Sequence, residues 1–133
     1  MSNGVTLAAD VLARLNALPK ITVYDNQPVV TAPDKPFVVF WDGPDRLYSN
    51  RHDGSAQKYR WGFYIVCAGR DQESARWCTN YVRSALRGVR IGESMLVEVD
   101  NGATDLVDTT IPSDVRFSRT LEFRLHANWS PDV

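Results

Sequence analysis

Residues 58–88 read KYRWGFYIVCAGRDQESARWCTNYVRSALRG, and their apolar residues change from the spacing of a strand to that of a helix. One face of the extended part carries Tyr59, Trp61, Phe63, Ile65 and Cys67, and the other carries Arg60, Gly62, Tyr64, Val66 and Ala68. Because bulky residues occur on both faces, this segment is predicted to be a central strand of its sheet. Gly69-Arg70 interrupts the strand, and Asp71 is a suitable N-cap for a helix.

The residues after Asp71 have the period of an amphipathic helix. Its apolar side carries Cys78, Tyr81, Val82 and Ala85, with Ala75, Trp77 and Leu86 at the edges. Its opposite side carries a row of cations at Arg76, Arg83 and Arg87. Gly88 stands where a C′ glycine commonly ends a helix. A buried strand followed by a helix that lies back on the sheet is therefore predicted.

The rest of the chain adds one helix and further strands to this unit. Residues 5–18 form the predicted first helix, which Pro19 ends and whose apolar face is Ala8, Val11, Leu12, Leu15 and Leu18. Strands are predicted at 21–24, 37–41, 95–100, 106–107 and 117–127, with Leu121, Phe123 and Leu125 facing inward in the last. Asn101-Gly102 is predicted to turn a hairpin between 95–100 and 106–107. The sequence predicts one α+β domain over residues 1–133, a largely antiparallel sheet with two helices packed on one face.

Two segments stand outside this pattern. Residues 42–57, DGPDRLYSNRHDGSAQ, are long and irregular for a connection between paired strands, and such loops are often functional. Leu47 and Tyr48 lie in the middle of this segment, so it is predicted to be a long loop or an outward hairpin arm. A short tail at 128–133 contains Trp129.

The overall composition excludes several classes of function. The formal net charge is −1, whereas dedicated nucleic-acid-binding domains are usually basic. No apolar run has membrane-spanning length, and the first residues lack the charged-then-apolar pattern of a signal peptide. The two cysteines, Cys67 and Cys78, lie at positions predicted to be buried and are expected to be reduced core thiols.

Catalytic and ligand-binding patterns are sparse. Asp42, Asp45, His52 and Asp53 bring potential metal ligands into one segment, but their spacing matches no known site, and a solvated polar loop is the alternative. Ser49, His52 and Asp53 are triad residue types, although neighbours on one loop rarely reach triad geometry. No phosphate-binding glycine motif occurs. The sequence predicts no catalytic residue, no metal site and no cofactor.

Several exposed residues are instead predicted to contact a partner or a neighbouring subunit. They are Arg46, Tyr48 and Arg51 of the arm, Arg76, Arg83 and Arg87 of the helix row, and Trp129 of the tail. A row of arginines suits acidic residues of a neighbouring subunit, and a terminal tryptophan suits a partner's pocket. The alternatives are a solvated helix face for the arginines and packing on the chain's own core for Trp129.

The chain resembles the tail terminator, or tail completion, proteins of bacteriophages with long non-contractile tails, particularly those of actinobacteriophages. The resemblance is specific over residues 37–87 and extends in the order of elements over 5–127. It is carried by Phe37-Val38-Val39-Phe40, Asp42-Gly43-Pro44, the segment WGFYIVCAG at 61–69, the segment RDQESARW at 70–77 and Tyr81-Val82-Arg83-Ser84-Ala85-Leu86.

The resemblance implies a structural virion protein with no catalytic residues. Family members form a ring, usually sixfold, that caps the major tail tube protein, ends tube polymerisation and joins the head–tail connector or stopper protein. DNA passes through the lumen without sequence-specific binding. The implied location is the virion at the head–tail interface, and the host cytoplasm during assembly, with no membrane partner. The alternatives are a head-completion or stopper protein of the neck, and a small hydrolase using His52 and Asp53.

Overall fold

The computed structural model describes residues 3–49, 57–92 and 94–129. Its helices are α1 (Gly4–Asn16) and α2 (Gln72–Leu86). Its strands are β1 (Thr22–Asp25), β2 (Phe37–Ser49), β3 (Gln57–Gly69), β4 (Arg90–Ile91), β5 (Ser94–Met95), β6 (Val97–Val99), β7 (Leu106–Asp108) and β8 (Arg116–Asn128).

A six-stranded sheet forms the centre of the fold, and β3 lies in its middle, as predicted. The strand order is β1-β2-β3-β8-β6, with β7 also paired to β8. Only the short β1 runs parallel to its neighbour, and the other pairs are antiparallel. Strands β4 and β5 form a separate two-stranded ladder. The predicted α+β class with a largely antiparallel sheet is therefore confirmed.

Both helices pack on one face of the sheet, which we call the inner face. The buried residues of α1 are Leu7, Val11 and Leu15, and those of α2 are Ala75, Cys78, Thr79, Val82 and Leu86. They pack against alternate residues of β3 and β8, including Phe63 and Phe123, whose ring centroids lie 5.5 Å apart. Burial of this apolar surface is the main stabilisation available to the fold.

Local signals set the two helix starts. The Asn3 side chain accepts hydrogen bonds from the Val5 and Thr6 amides, so α1 begins at Gly4. Asp71 accepts from the Ser74 amide and caps α2, as predicted. The first helix ends at Asn16 and not at residue 18, because Ala17 is already its C-cap ahead of Pro19.

The outer face of the sheet is covered by the connector, residues 26–36, in place of a helix. A second apolar cluster forms there from Ala32, Phe37, Val39 and Ala68. Arg116 donates to the carbonyl oxygens of Val29 and Val30 at 2.7 and 3.0 Å, and Arg70 donates to Ala32. Arg116, at the start of β8, and Arg70, directly after β3, therefore hold the connector through hydrogen bonds to its backbone.

Asp114 completes this arrangement on the outer face. Its Oδ2 accepts from Arg116 Nη2 at 2.8 Å and from the Ala32 amide at 3.4 Å, while its Oδ1 lies 3.9 Å from Arg70 Nη1. The Arg116 hydrogen bond, opposed by partial burial, holds the pKa of the Asp114 carboxyl below its ordinary value.

Strand β2 is much longer than the predicted 37–41. It continues to Ser49 and pairs with β3 as far as Gln57, where an irregular segment was expected. Gly43 and Pro44 suggested a break in the sequence, but the strand absorbs them in a β-bulge between Asp42 and Asp45. Residues 50–56, at the end of this hairpin, lie outside the described part of the chain.

The predicted hairpin at Asn101-Gly102 is wrong. Strands β6 and β7 do not pair with each other, and both pair with β8 along the same edge. Residues 100–105 leave that edge between them, and Gly102 adopts a φ of 69° there. The predicted strand 95–100 is likewise divided into β5 and β6, with the buried Leu96 between them.

Candidate interaction surfaces

The bulge in β2 places two carboxylates on the inner face. A strand alternates its side chains between faces, but one extra residue shifts that alternation. Asp42 therefore lies opposite Phe63, and Asp45 lies opposite Trp61, both on the inner face. A Cβ atom on Gly43 would lie 2.9 Å from the Gly62 backbone, so the close approach of the strands here requires glycine.

These carboxylates border a cleft of about 780 Å³ between α1 and the sheet. We call it the α1 cleft. Its apolar lining comes from Val5, Ala8, Ala9, Leu12, Trp61 and Trp129. Its polar lining comes from Asn3, Asp25, Asn26, Asp42, Asp45 and Tyr59, together with the backbone of Gly4 and Gly43. The α1 cleft thus combines an apolar floor with an acidic rim.

Electrostatic repulsion is concentrated at this rim. Partial burial, followed by the charge of Asp25, raises the pKa of the Asp42 carboxyl, and Asp45 adds to the effect. Tyr59 donates its hydroxyl hydrogen to Asp45 Oδ2 at 2.8 Å, and burial with that bond raises the pKa of Tyr59. A cation at the rim would relieve the repulsion among these carboxylates.

The Trp129 side chain packs against the chain's own core. It is half-buried and lines the α1 cleft. The alternative of packing on its own core is therefore what the structure shows, while the predicted contact of its exposed part with a partner stays a prediction. Residues 130–133 of the predicted tail lie outside the described part.

A second surface, which we call the basic patch, lies on the flank of α2 beside β8. A small depression of about 230 Å³ is lined by Arg76, Thr79, Asn80, Arg83, Asp105 and Arg119. Arg119 Nη1 lies 3.9 Å from Asp105 Oδ1, a loose contact in which both side chains remain substantially exposed. Arginines outnumber carboxylates here, so the patch presents a positive surface.

The predicted row of three arginines does not behave as one exposed set. Arg83 Nε donates to Glu98 Oε1 at 2.6 Å, and the pair is mostly shielded from solvent. Arg76 and Arg87 are exposed, and Arg87 is also the C-cap residue of α2. Arg83 therefore links α2 to β6, while Arg76 and Arg87 remain available for contact.

The arm is described only at its base. Arg46 is exposed on β2 opposite Arg60, on the outer face. The backbone of Tyr48 pairs with Lys58, but its side chain and that of Ser49 are not described. Arg51, His52 and Asp53 lie outside the described residues, so the considered metal set and triad, which both include His52 and Asp53, fall outside the described part of the chain.

Other chemistry is limited within the described ranges. Over 3–49, 57–92 and 94–129, no group of three His, Cys, Asp or Glu side chains is placed to hold a metal ion. Cys67 and Cys78 are free and buried, with Cys78 Sγ 3.7 Å from the Phe37 carbonyl oxygen. The Cys78 thiol and burial raise the pKa of Cys67, which keeps that thiol protonated and unreactive. No helix in the part described is long and apolar enough to cross a membrane.

Sequence reasoning missed the acidic rim and half of the basic patch. Asp25 precedes Asp42 by 17 positions, and Asp42 precedes its β3 partner Phe63 by 21 positions. Arg119 meets α2 only through the β3–β8 register. The signal for the rim was the Asp-Gly-Pro sequence at 42–44, since glycine followed by proline is compatible with a bulge. No local pattern marked Arg119 or Asp105.

No protein-family model and no curated protein sequence matches this chain. Among solved structures, 22 chains match it. One is a chain of the structure described as "Virion of native gene transfer agent (GTA) particle", with a TM-score of 0.62 and 20% sequence identity. The match covers 96% of this chain and 100% of that one. At this identity the similarity establishes a shared fold over nearly the whole of both chains.

Proposed function

We propose that this chain is a structural virion protein that acts as a tail terminator. It forms a ring, sixfold by analogy with the family it resembles, that caps the tail tube, ends its polymerisation and joins the tail to the head connector. The observation that carries this proposal is the end-to-end similarity in fold to a chain of a gene transfer agent virion. The sequence motifs at 37–44 and 61–86 support the finer assignment to a terminator.

The geometry suits a subunit of a closed ring. A ring with a heterologous interface needs two different patches on each subunit, one for each neighbour. The α1 cleft and the basic patch are two such surfaces, opposite in charge and built on rigid elements of the fold. The partners of the proposed ring are further copies of the chain, the major tail tube protein and the head–tail connector, with DNA passing through the lumen. The role requires neither catalysis nor a cofactor.

Particles that lack the chain test the proposal. Electron microscopy of such particles is expected to show tails of uncontrolled length that fail to join heads. Restoring the chain from a plasmid should return the tails to one length. Normal infectious particles in its absence would overturn the proposal. Tails of normal length that stay separate from heads would instead indicate a head-completion or stopper protein.

A further inference from the structure

We infer that the α1 cleft is the docking site for the basic patch of a second copy of this chain. The inference rests on the proposed ring and identifies the two surfaces that close it. It commits to a head-to-tail contact in which each copy offers its cleft to one neighbour and its patch to the other.

The two surfaces lie at opposite corners of the sheet. The cleft uses Tyr59 and Trp61 at the start of β3, whereas Arg119 of the patch pairs with Cys67 near the end of β3. Trp61 and Cys67 are six positions apart along an extended strand, which is about 20 Å. Across the sheet, the cleft also involves β2 and the end of β1, whereas the patch lies on β8 and the flank of α2. One copy cannot reach its own cleft, so the contact must repeat from copy to copy.

The charges of the two surfaces are complementary. Asp25, Asp42 and Asp45 are exposed carboxylates on the cleft side. On the other side, Arg76 of the basic patch is exposed, and so is Arg87, which lines an adjoining depression together with Arg83 and Arg119. Neither arginine has an ion pair within 4.0 Å among the described residues. Complementary potentials of this kind select the partner and its orientation.

Apolar residues are also matched. The cleft exposes apolar surface of Ala8 and Leu12, which are partly exposed, above the buried ring of Trp61. Beside the patch, Val107 lies opposite Phe117, on the face of the sheet that carries Arg119, and it is 54% exposed. Docking the patch would bring Val107 toward the apolar lining of the cleft and remove both from water. An interface with an apolar centre and a charged rim has the usual composition of protein contacts.

Reciprocal charge reversal tests the contact. Asp25→Lys with Asp42→Lys gives a chain whose cleft and patch are both basic, and Arg76→Glu with Arg87→Glu gives one in which both are acidic. Each double variant alone is expected to lose self-association by about tenfold or more. A 1:1 mixture of the two is expected to assemble, because alternating copies restore every contact. The quadruple variant, which exchanges both charges, is expected to assemble alone.

Assembly is measured by sedimentation at low salt and by incorporation into particles lacking the native chain. Thermal melts show that the variants fold, and Asp10→Lys with Lys20→Glu is the matched control, since these exposed residues line neither surface. Rings that form equally well in every variant overturn the inference and leave the proposed function standing. A defect from the cleft reversal that the patch reversal cannot rescue assigns the cleft to another protein and also overturns it. A native chain that neither self-associates nor enters particles overturns both proposals.

Discussion

On the inner face of the sheet, aromatic rings pack between strands and helices, whereas on the outer face an extended connector is held by two arginines and one carboxylate. Phe40, Trp61, Phe63 and Phe123 have neighbouring ring centroids 5.0–6.5 Å apart. The connector instead depends on charge-assisted hydrogen bonds from Arg70 and Arg116 to its own carbonyl groups. Apolar burial is non-directional and independent of protonation, whereas these hydrogen bonds are directional and the Asp114 carboxylate that accepts from Arg116 titrates in acid. The two faces should therefore fail under different perturbations.

Phe123→Ala should give the largest loss of stability. The ring is fully buried between β3 and both helices, so its removal leaves a cavity and costs about 3–5 kcal/mol in the free energy of unfolding. Chemical denaturation measures the loss. Phe117→Ala is the matched control, since Phe117 lies on the same face of β8 but is only partly buried. Equal losses for the two variants would show that the depth of burial on the inner face does not determine the cost.

Arg116→Met should loosen the outer face while leaving the inner one intact. The variant removes two hydrogen bonds to the connector and the contact with Asp114, at a cost of about 2 kcal/mol. Hydrogen exchange should rise for amides of residues 29–32 before those of β3. Arg124→Met is the control, because the one ion pair of Arg124 among the described residues is with Glu122 at 3.6 Å, and the variant should cost less than about 1 kcal/mol. Uniform exchange across the molecule would contradict independent faces.

Acid should act on the outer face first. The folded pKa of Asp114 is lowered by Arg116, so its ionised form stabilises the fold. This contribution is complete above the unfolded pKa of about 3.9 and is lost as the pH falls through the lower folded value. An NMR titration that follows the Asp114 carboxyl and the Ala32 amide measures the midpoint. In Arg116→Met the pH midpoint of the Asp114 titration should rise, because the hydrogen bond that lowers the Asp114 pKa is lost. An ordinary pKa for the Asp114 carboxyl in the native chain would show that this carboxylate does not stabilise the connector electrostatically.

Trp77→Ala should have the smallest effect. Trp77 is 39% exposed and stacks on Tyr81 with centroids 4.7 Å apart, outside the buried side of α2. Loss of this stack should cost about 1 kcal/mol or less. Thermal unfolding followed by circular dichroism measures it, with Val82→Ala as the buried control on the same helix. A loss as large as that of Val82→Ala would place Trp77 in the core and not at the edge of the apolar side, where the sequence pattern puts it.

Much of the inner face could be predicted because periodicity and burial agree there. The alternation of β3 and β8 identified the buried residues, and Asp71 identified the start of α2. Which residues of α2 are buried was harder to predict. Thr79 is buried although it is polar, because its hydroxyl donates to the Ala75 carbonyl oxygen at 2.9 Å. That bond satisfies the hydroxyl within the helix, and no pattern of hydrophobicity reports it.

The outer face and the interaction surfaces could not be predicted because they depend on contacts between distant segments. Pro28, Pro33 and Pro36 are compatible with an extended connector, but no local pattern identifies the sheet arginines that hold it. Arg83 belonged to a regular row, yet Glu98, fifteen positions away, pairs with it. Asn101-Gly102 has strong local turn chemistry, but the long β8 offers pairing partners to both flanking segments. Tertiary pairing therefore overrode the local signal.

The bulge at Asp42–Asp45 also governs the direction in which the arm presents its side chains. Beyond it, Arg46 projects to the outer face and Leu47 to the inner one. Deleting a single residue within the bulge would invert that assignment for every later position of the strand, without altering Phe37–Trp41 or the core behind them. Insertions and deletions of one residue here therefore provide a route by which related chains can exchange the side chains that this part of the strand presents on each face while keeping the same stable body.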